Sequence, residues 1–136
     1  MRRPLALLCL PLSGLALSAC GTTTSTAAFK GQQHEVAQTL ANLQSHATAG
    51  EEKNICGKDL ALAVVRRLGG AKPCEAAIKS QLAEVDSLEV TVQSVQIASD
   101  GTSATAEAVS VHEGKKRAST VAFVKEGGRW RISALG

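Results

Sequence analysis

A chain of 136 residues, 44% apolar and 20% charged with a formal net charge of +3, has the length of one domain and the composition of a folded one. Its basic residues fall in short runs, Arg66-Arg67 and Lys115-Lys116-Arg117, without the basic stripe or interleaved aromatics of a nucleic-acid surface, so nucleic acid is excluded as a partner. With two Phe, one Trp and no Tyr, the core must be built from Leu, Val, Ile and Ala. Small side chains bury little area each, at roughly 25 cal/mol per Å², which gives such a domain reason to carry a covalent staple.

The first element reads as an export leader. Arg2 and Arg3 precede an apolar run over residues 5–17, interrupted by Pro11 and Gly14. It is too short to span a bilayer, which needs ~20 apolar residues. The run closes in Leu17-Ser18-Ala19-Cys20, which resembles the lipobox of bacterial lipoproteins. That resemblance implies cleavage before Cys20, a diacylglyceryl group on its thiol, and anchoring in the bilayer at the outer face of the cell membrane. Two acyl chains at ~0.8 kcal/mol per buried CH₂ hold a protein stably. The expected organisation is a lipoprotein signal peptide over residues 1–19, lipidated Cys20 with a flexible tether to residue 31, and a single α+β domain over 32–136. Arg2 and Arg3 leave with the leader, so in the remaining 117 residues 13 basic side chains face 12 acidic ones.

Cys9 leaves with the leader and lipid takes Cys20, so Cys56 and Cys74 remain to pair. Outside the cytoplasm a disulfide forms and persists. Closing this loop should stabilise the fold by ~3 kcal/mol in the chain-entropy model. A redox dithiol or a zinc site is the alternative, and the spacing fits neither pattern.

After the small polar stretch 21–28, Val36, Leu40 and Leu43 recur at helical spacing beside Ala37, Ala41 and Ala47, which predicts a helix to about Thr48. Leu60, Val64 and Leu68 predict a second helix that Gly69-Gly70 ends. Pro73 suits the first turn of a third, with Cys74, Ile78, Leu82 and Val85 along one face. Beyond Asp86-Ser87 the period drops to two. Leu88, Val90 and Val92 alternate, then the apolar phase slips to Val95 and Ile97, which predicts a β-bulge near Gln93-Ser94 and a curved sheet. Turn signals at Asp100-Gly101, Glu113-Gly114 and Gly127-Gly128 divide the rest into three further strands. The last should place Trp130, Ile132 and Ala134 on one face and Arg129, Arg131 and Ser133 on the other. The expected fold is α+β, three N-terminal helices packed on a curved four-stranded antiparallel sheet.

Lipobox, polar tether, a cysteine at the second helix, Pro73-Cys74-Glu75-Ala76-Ala77 opening the third, and Trp130-Arg131-Ile132 in the last strand together resemble small actinobacterial lipoproteins with a domain like nuclear transport factor two. The resemblance covers about residues 32–136. It implies a half-open cone, a curved sheet wrapped round helices, often with a cavity. This chain lacks the strand pair that the larger fold carries between its helices.

Enzymes on that fold hold an acid or base with a tyrosine or aspartate partner in a dry cavity. Here no tyrosine exists. Asp59 and Glu75 fall where helix starts use acids, and the other carboxylates fall in turns or on polar faces. His34 and His46 lie twelve residues apart on the first helix, ~18 Å at 1.5 Å per residue, and cannot share a metal. His112, beside Glu113, is the best single base. Arg129 and Arg131, with Arg117 beside them, form a candidate docking surface for anionic head groups or an acidic partner. No catalytic motif, metal pattern or phosphate loop is present, and no cofactor is expected. The expectation is a non-enzymatic binding or interaction module of the cell envelope, taking a small apolar ligand in the cone or an envelope protein on the sheet, or pairing as a homodimer. An isomerase or cyclase using the cavity is the alternative.

Overall fold

In the computed structural model of the chain, residues 25–85 and 89–136 are described. The leader, Cys20 and the first part of the tether lie outside them, as does the 86–88 boundary before the first strand. Among the described residues four helices, α1 (Gln32–Ala49), α2 (Glu52–Asn54), α3 (Leu62–Arg67) and α4 (Ala71–Leu82), precede four strands, β1 (Glu89–Ile97), β2 (Ser103–His112), β3 (Lys115–Glu126) and β4 (Arg129–Leu135). The strands form one antiparallel meander in the order β1-β2-β3-β4. The expected α+β architecture is what the chain adopts.

The helix α1 exists because its apolar residues share a stripe and Gly50 ends it in the left-handed conformation, φ 67°, donating its N–H to Ala47 O. Val36, Ala37 and Leu40 are buried against the sheet. Ala104, Ala106 and Ala108 of β2 are buried in the same core. The space beside the alanine row is filled by core rather than left as a pocket.

The second expected helix is broken. After α2 the chain makes a π-helical turn, Ile55–Asp59, then extends at Leu60, which forms a parallel bridge with Ile132 before α3 begins. A π turn packs an extra residue into the helical ladder. It aims Ile55, Cys56 and Asp59 inward together. Cys56 and Cys74 are disulfide-bonded, Cα to Cα 6.1 Å, both buried. The bond fastens α4, which packs on α2, the π turn and α3, to the layer that touches the sheet.

The bulge expected in β1 is present, with Gln93 unpaired between Val92 and Ser94. A second register shift was not expected. Phe123 pairs with Ile132 but Ala122 with Ala134, so Ser133 is the extra residue. Trp130 and Ile132 are buried as expected, while Ala134 is carried to the exposed side. Both sheet edges are protected. Gln33 donates to Val95 O at 2.9 Å and Gln44 Oε1 accepts from Val90 N at 3.2 Å, closing the β1 edge with α1 side chains. Ala61 N donates to Ile132 O at 2.8 Å and Thr39 Oγ1 to Trp130 O at 3.4 Å, closing that of β4.

Candidate functional site

The outward face of α1 carries His34, Gln38, Asn42 and His46 at four-residue steps. Against it stand Lys58 and Asp59 of the π turn and Gly128, Arg129 and Trp130 at the β3–β4 turn. Together they line an open groove of about 320 Å³, bordered mainly by polar residues whose hydrocarbon parts also face it. Twelve residues at 1.5 Å each make its α1 wall about 18 Å long.

Its floor holds an acid–base pair. Nδ1 of His46 and Oδ2 of Asp59 lie 2.6 Å apart, and Asp59 is 3% exposed. Burial pushes the Asp59 carboxyl above the ordinary aspartate range, partly offset by the hydrogen bond and charge of His46 and the charges of Lys58 and Arg131. With the carboxylate ionised, Nδ1–H donates to it, which fixes the tautomer and leaves Nε2 on the other side of the ring. Glu51 Oε2 is 3.8 Å from Nε2, within ion-pair reach but beyond a hydrogen bond. A base held by a buried carboxylate is the arrangement that general-base chemistry uses. It serves a binding site equally, as a positioned hydrogen-bond partner.

The sequence-level candidates scatter. His112 ends β2, exposed, its Nε2 3.9 Å from Glu113 Oε1, and is not part of the groove. Arg131 donates to Gly57 O at 2.9 Å and Leu60 O at 3.4 Å, so it fastens the π turn to β4. Arg129 does line the groove. Arg117 stands seven residues along β3 from Val124, the partner of Arg131, or ~23 Å at 3.3 Å per residue, so the three arginines make no common surface. Trp130 Nε1 and Arg131 Nε are buried without a hydrogen-bond partner, each a cost of ~1–3 kcal/mol. Lys125 Nζ, 5.5 Å from the Trp130 ring centroid, supplies a cation–π contact there.

Reading residues alone missed His46 and Asp59 as a pair. Its place in the sequence suits Asp59 to a helix start, whereas the π turn rotates it inward. Residues 25–31, counted with the tether, fold back on the domain. His34 Nδ1 meets Thr26 O at 3.2 Å and Phe29 packs against the core. Among the described residues no group of three or more His, Cys, Asp or Glu could hold a metal ion, and no helix is long and apolar enough to cross a membrane.

No protein-family model matches the chain, and no curated protein does. Among solved structures it is similar to the intermembrane space region of the chloroplast protein ARC6, at 14% identity and a TM-score of 0.48 over 79% of this chain and 95% of that one.

Proposed function

We propose that this protein is a lipid-anchored, extracytoplasmic binding module of a bacterial cell envelope, built on a cone-like domain of the nuclear transport factor two kind, which takes its ligand in the groove along α1. The groove carries the binding part of this reading: a concave site of mixed polar and apolar lining with a positioned imidazole, flanked by Lys58 and Arg129. The lipobox-like residues 17–20 carry the anchor, and the oxidised Cys56–Cys74 pair supports an oxidising compartment. The space between helix and sheet is occupied by Val36, Leu40 and Phe123, so a small polar ligand in the groove takes precedence over an apolar one in the cone.

Intact-mass measurement of protein extracted from its own membrane, native and then denatured, tests both halves. A diacylglyceryl adduct on Cys20, lost in Cys20→Ser, and a small molecule released on denaturation are expected. An unmodified, soluble chain would remove the anchor. A ligand retained equally by the Asn42→Ala/Arg129→Ala variant would remove the groove.

The His46–Asp59 geometry favours a second reading, an enzyme that uses this pair as its base in place of His112. Turnover that vanishes in His46→Ala and survives in His112→Ala would establish it. Turnover insensitive to His46, or none, returns the pair to binding alone.

A further inference from the structure

Groups of α1 and of the segment before α3 close the outer edges of β1 and β4, but β3 outruns β4. The β3–β4 ladder covers residues 121–126 of β3, and Gly136 N adds a last bond to Thr120 O at 2.9 Å. On its other side β3 pairs with β2 as far as the turn, and β1 backs β2 as far as Val111. That turn, Glu113-Gly114, has φ 49° and 74°, both positive as a two-residue type I′ turn requires, so the arm is already set as a strand. In an antiparallel strand the N–H and C=O of one residue point to the same side, and the side alternates along the chain. Because Thr120 O faces β4, the N–H and C=O of Ala118 and Lys116 face that side too. None of the described residues bonds to them there.

The same stretch carries Lys115, Lys116 and Arg117, all exposed and, among the described residues, without an ion-pair partner. The carboxylates nearby are engaged, Glu113 lying 3.9 Å from His112 Nε2 and Glu107 accepting from Thr120 Oγ1 at 2.9 Å. Side chains alternate across a sheet, so Lys116 flanks the open edge on one face and Lys115 and Arg117 flank it on the other. We propose that residues 115–120 take up an acidic, extended segment of another protein as an added strand in line with β4. Its backbone pairs with Lys116 and Ala118, and its carboxylates lie across from the three cations. A second copy of this chain is a poorer occupant, since pairing two such edges would set like charges opposite each other. A lipid surface or an anionic polymer would match the charges and leave the ladder unextended. The inference depends neither on the groove nor on the anchor.

Amide exchange read by NMR tests it, on the full chain in a neutral detergent. In the chain alone the Lys116 and Ala118 amides should exchange faster than that of Arg117, which faces β2. A short capped peptide of alternating glutamate and threonine, at about ten times its Kd, should slow the Lys116 and Ala118 amides about tenfold. Lys115→Gln/Lys116→Gln/Arg117→Gln should weaken that peptide about fivefold, through the lost cross-strand charge pairs. The same peptide with its backbone nitrogens methylated keeps its charge but cannot pair as a strand, and should give no protection. Equal protection by the methylated peptide would reduce the edge to a charged patch and overturn the proposal. So would equal protection by a peptide with lysine in place of glutamate, an unchanged Kd in the triple variant, or no protection by the acidic peptide up to its solubility. Lys116 and Ala118 amides that are slow without peptide would also overturn it. Slowing that grows with protein concentration would give the edge to a second copy, and slowing that does not would give it to another segment of this chain.

Discussion

The two faces of α1 obey different rules. Its inner face, Val36, Ala37 and Leu40, is continuous with the core, whereas its outer face, Gln38, Asn42 and His46, borders the groove and meets solvent. On the inner face position follows from hydrophobic period alone. On the outer face it depends on what another segment brings opposite, which period does not encode. Mutation should separate the two by size of effect and by readout.

Leu40→Ala should have the largest effect, because deleting a 2% exposed side chain between helix and sheet leaves a cavity. A loss of about 2–5 kcal/mol in urea unfolding is expected. A loss below that range would mean that the alanine row of β2 lets the layers close on the gap. Cys56→Ser/Cys74→Ser should follow at about 3 kcal/mol. Because α4 packs on α2, the π turn and α3, local exchange in α4 should rise more than in the sheet. Equal change in both would show that α4 is held without the bond.

His46→Ala tests the outer face where it reaches inward. It leaves the buried Asp59 without its imidazole and should cost about 1–3 kcal/mol at neutral pH. The sign with pH follows from the raised carboxyl of Asp59. A group bound more tightly to its proton in the folded state contributes stability below the unfolded value, about 3.9, and loses it as pH rises through the folded value. The penalty in His46→Ala should therefore shrink as the solution is acidified and Asp59 takes up its proton. Asp59→Asn in the same background should remove that pH dependence. A penalty constant from neutral to acid would mean that His46 acts through packing alone.

These contrasts explain what could be read beforehand. Period two located the strands, and the slip from Val92 to Val95 located the first bulge, because a half-buried strand writes its faces into the sequence. The Ser133 bulge left no such trace, since the residue beyond it, Ala134, is small enough for either face. The π turn was invisible for a related reason. Leu60, Val64 and Leu68 fit a continuous helix, and no local propensity marks the one-residue insertion that turns Asp59 inward. The His46–Asp59 pair depends on that insertion, so the fold was legible and its most chemically organised contact was not.

Gln38→Ala/Asn42→Ala should move stability least and separates the faces most clearly. Gln38 Nε2 donates to Asn42 Oδ1 at 3.0 Å in an exposed i,i+4 pair, of a kind worth about 0.2–0.5 kcal/mol. Alanine returns a similar amount through helix propensity. The midpoint of urea unfolding should stay within about 0.5 kcal/mol of the parent, as for surface changes away from buried networks. Binding of the ligand identified by native mass spectrometry should nevertheless fall, because these amides form the middle of the groove's helical wall. Loss of both stability and binding would mean that the outer face of α1 is structural after all. Loss of neither would leave the groove as a crease between packed elements, with recognition elsewhere on the domain.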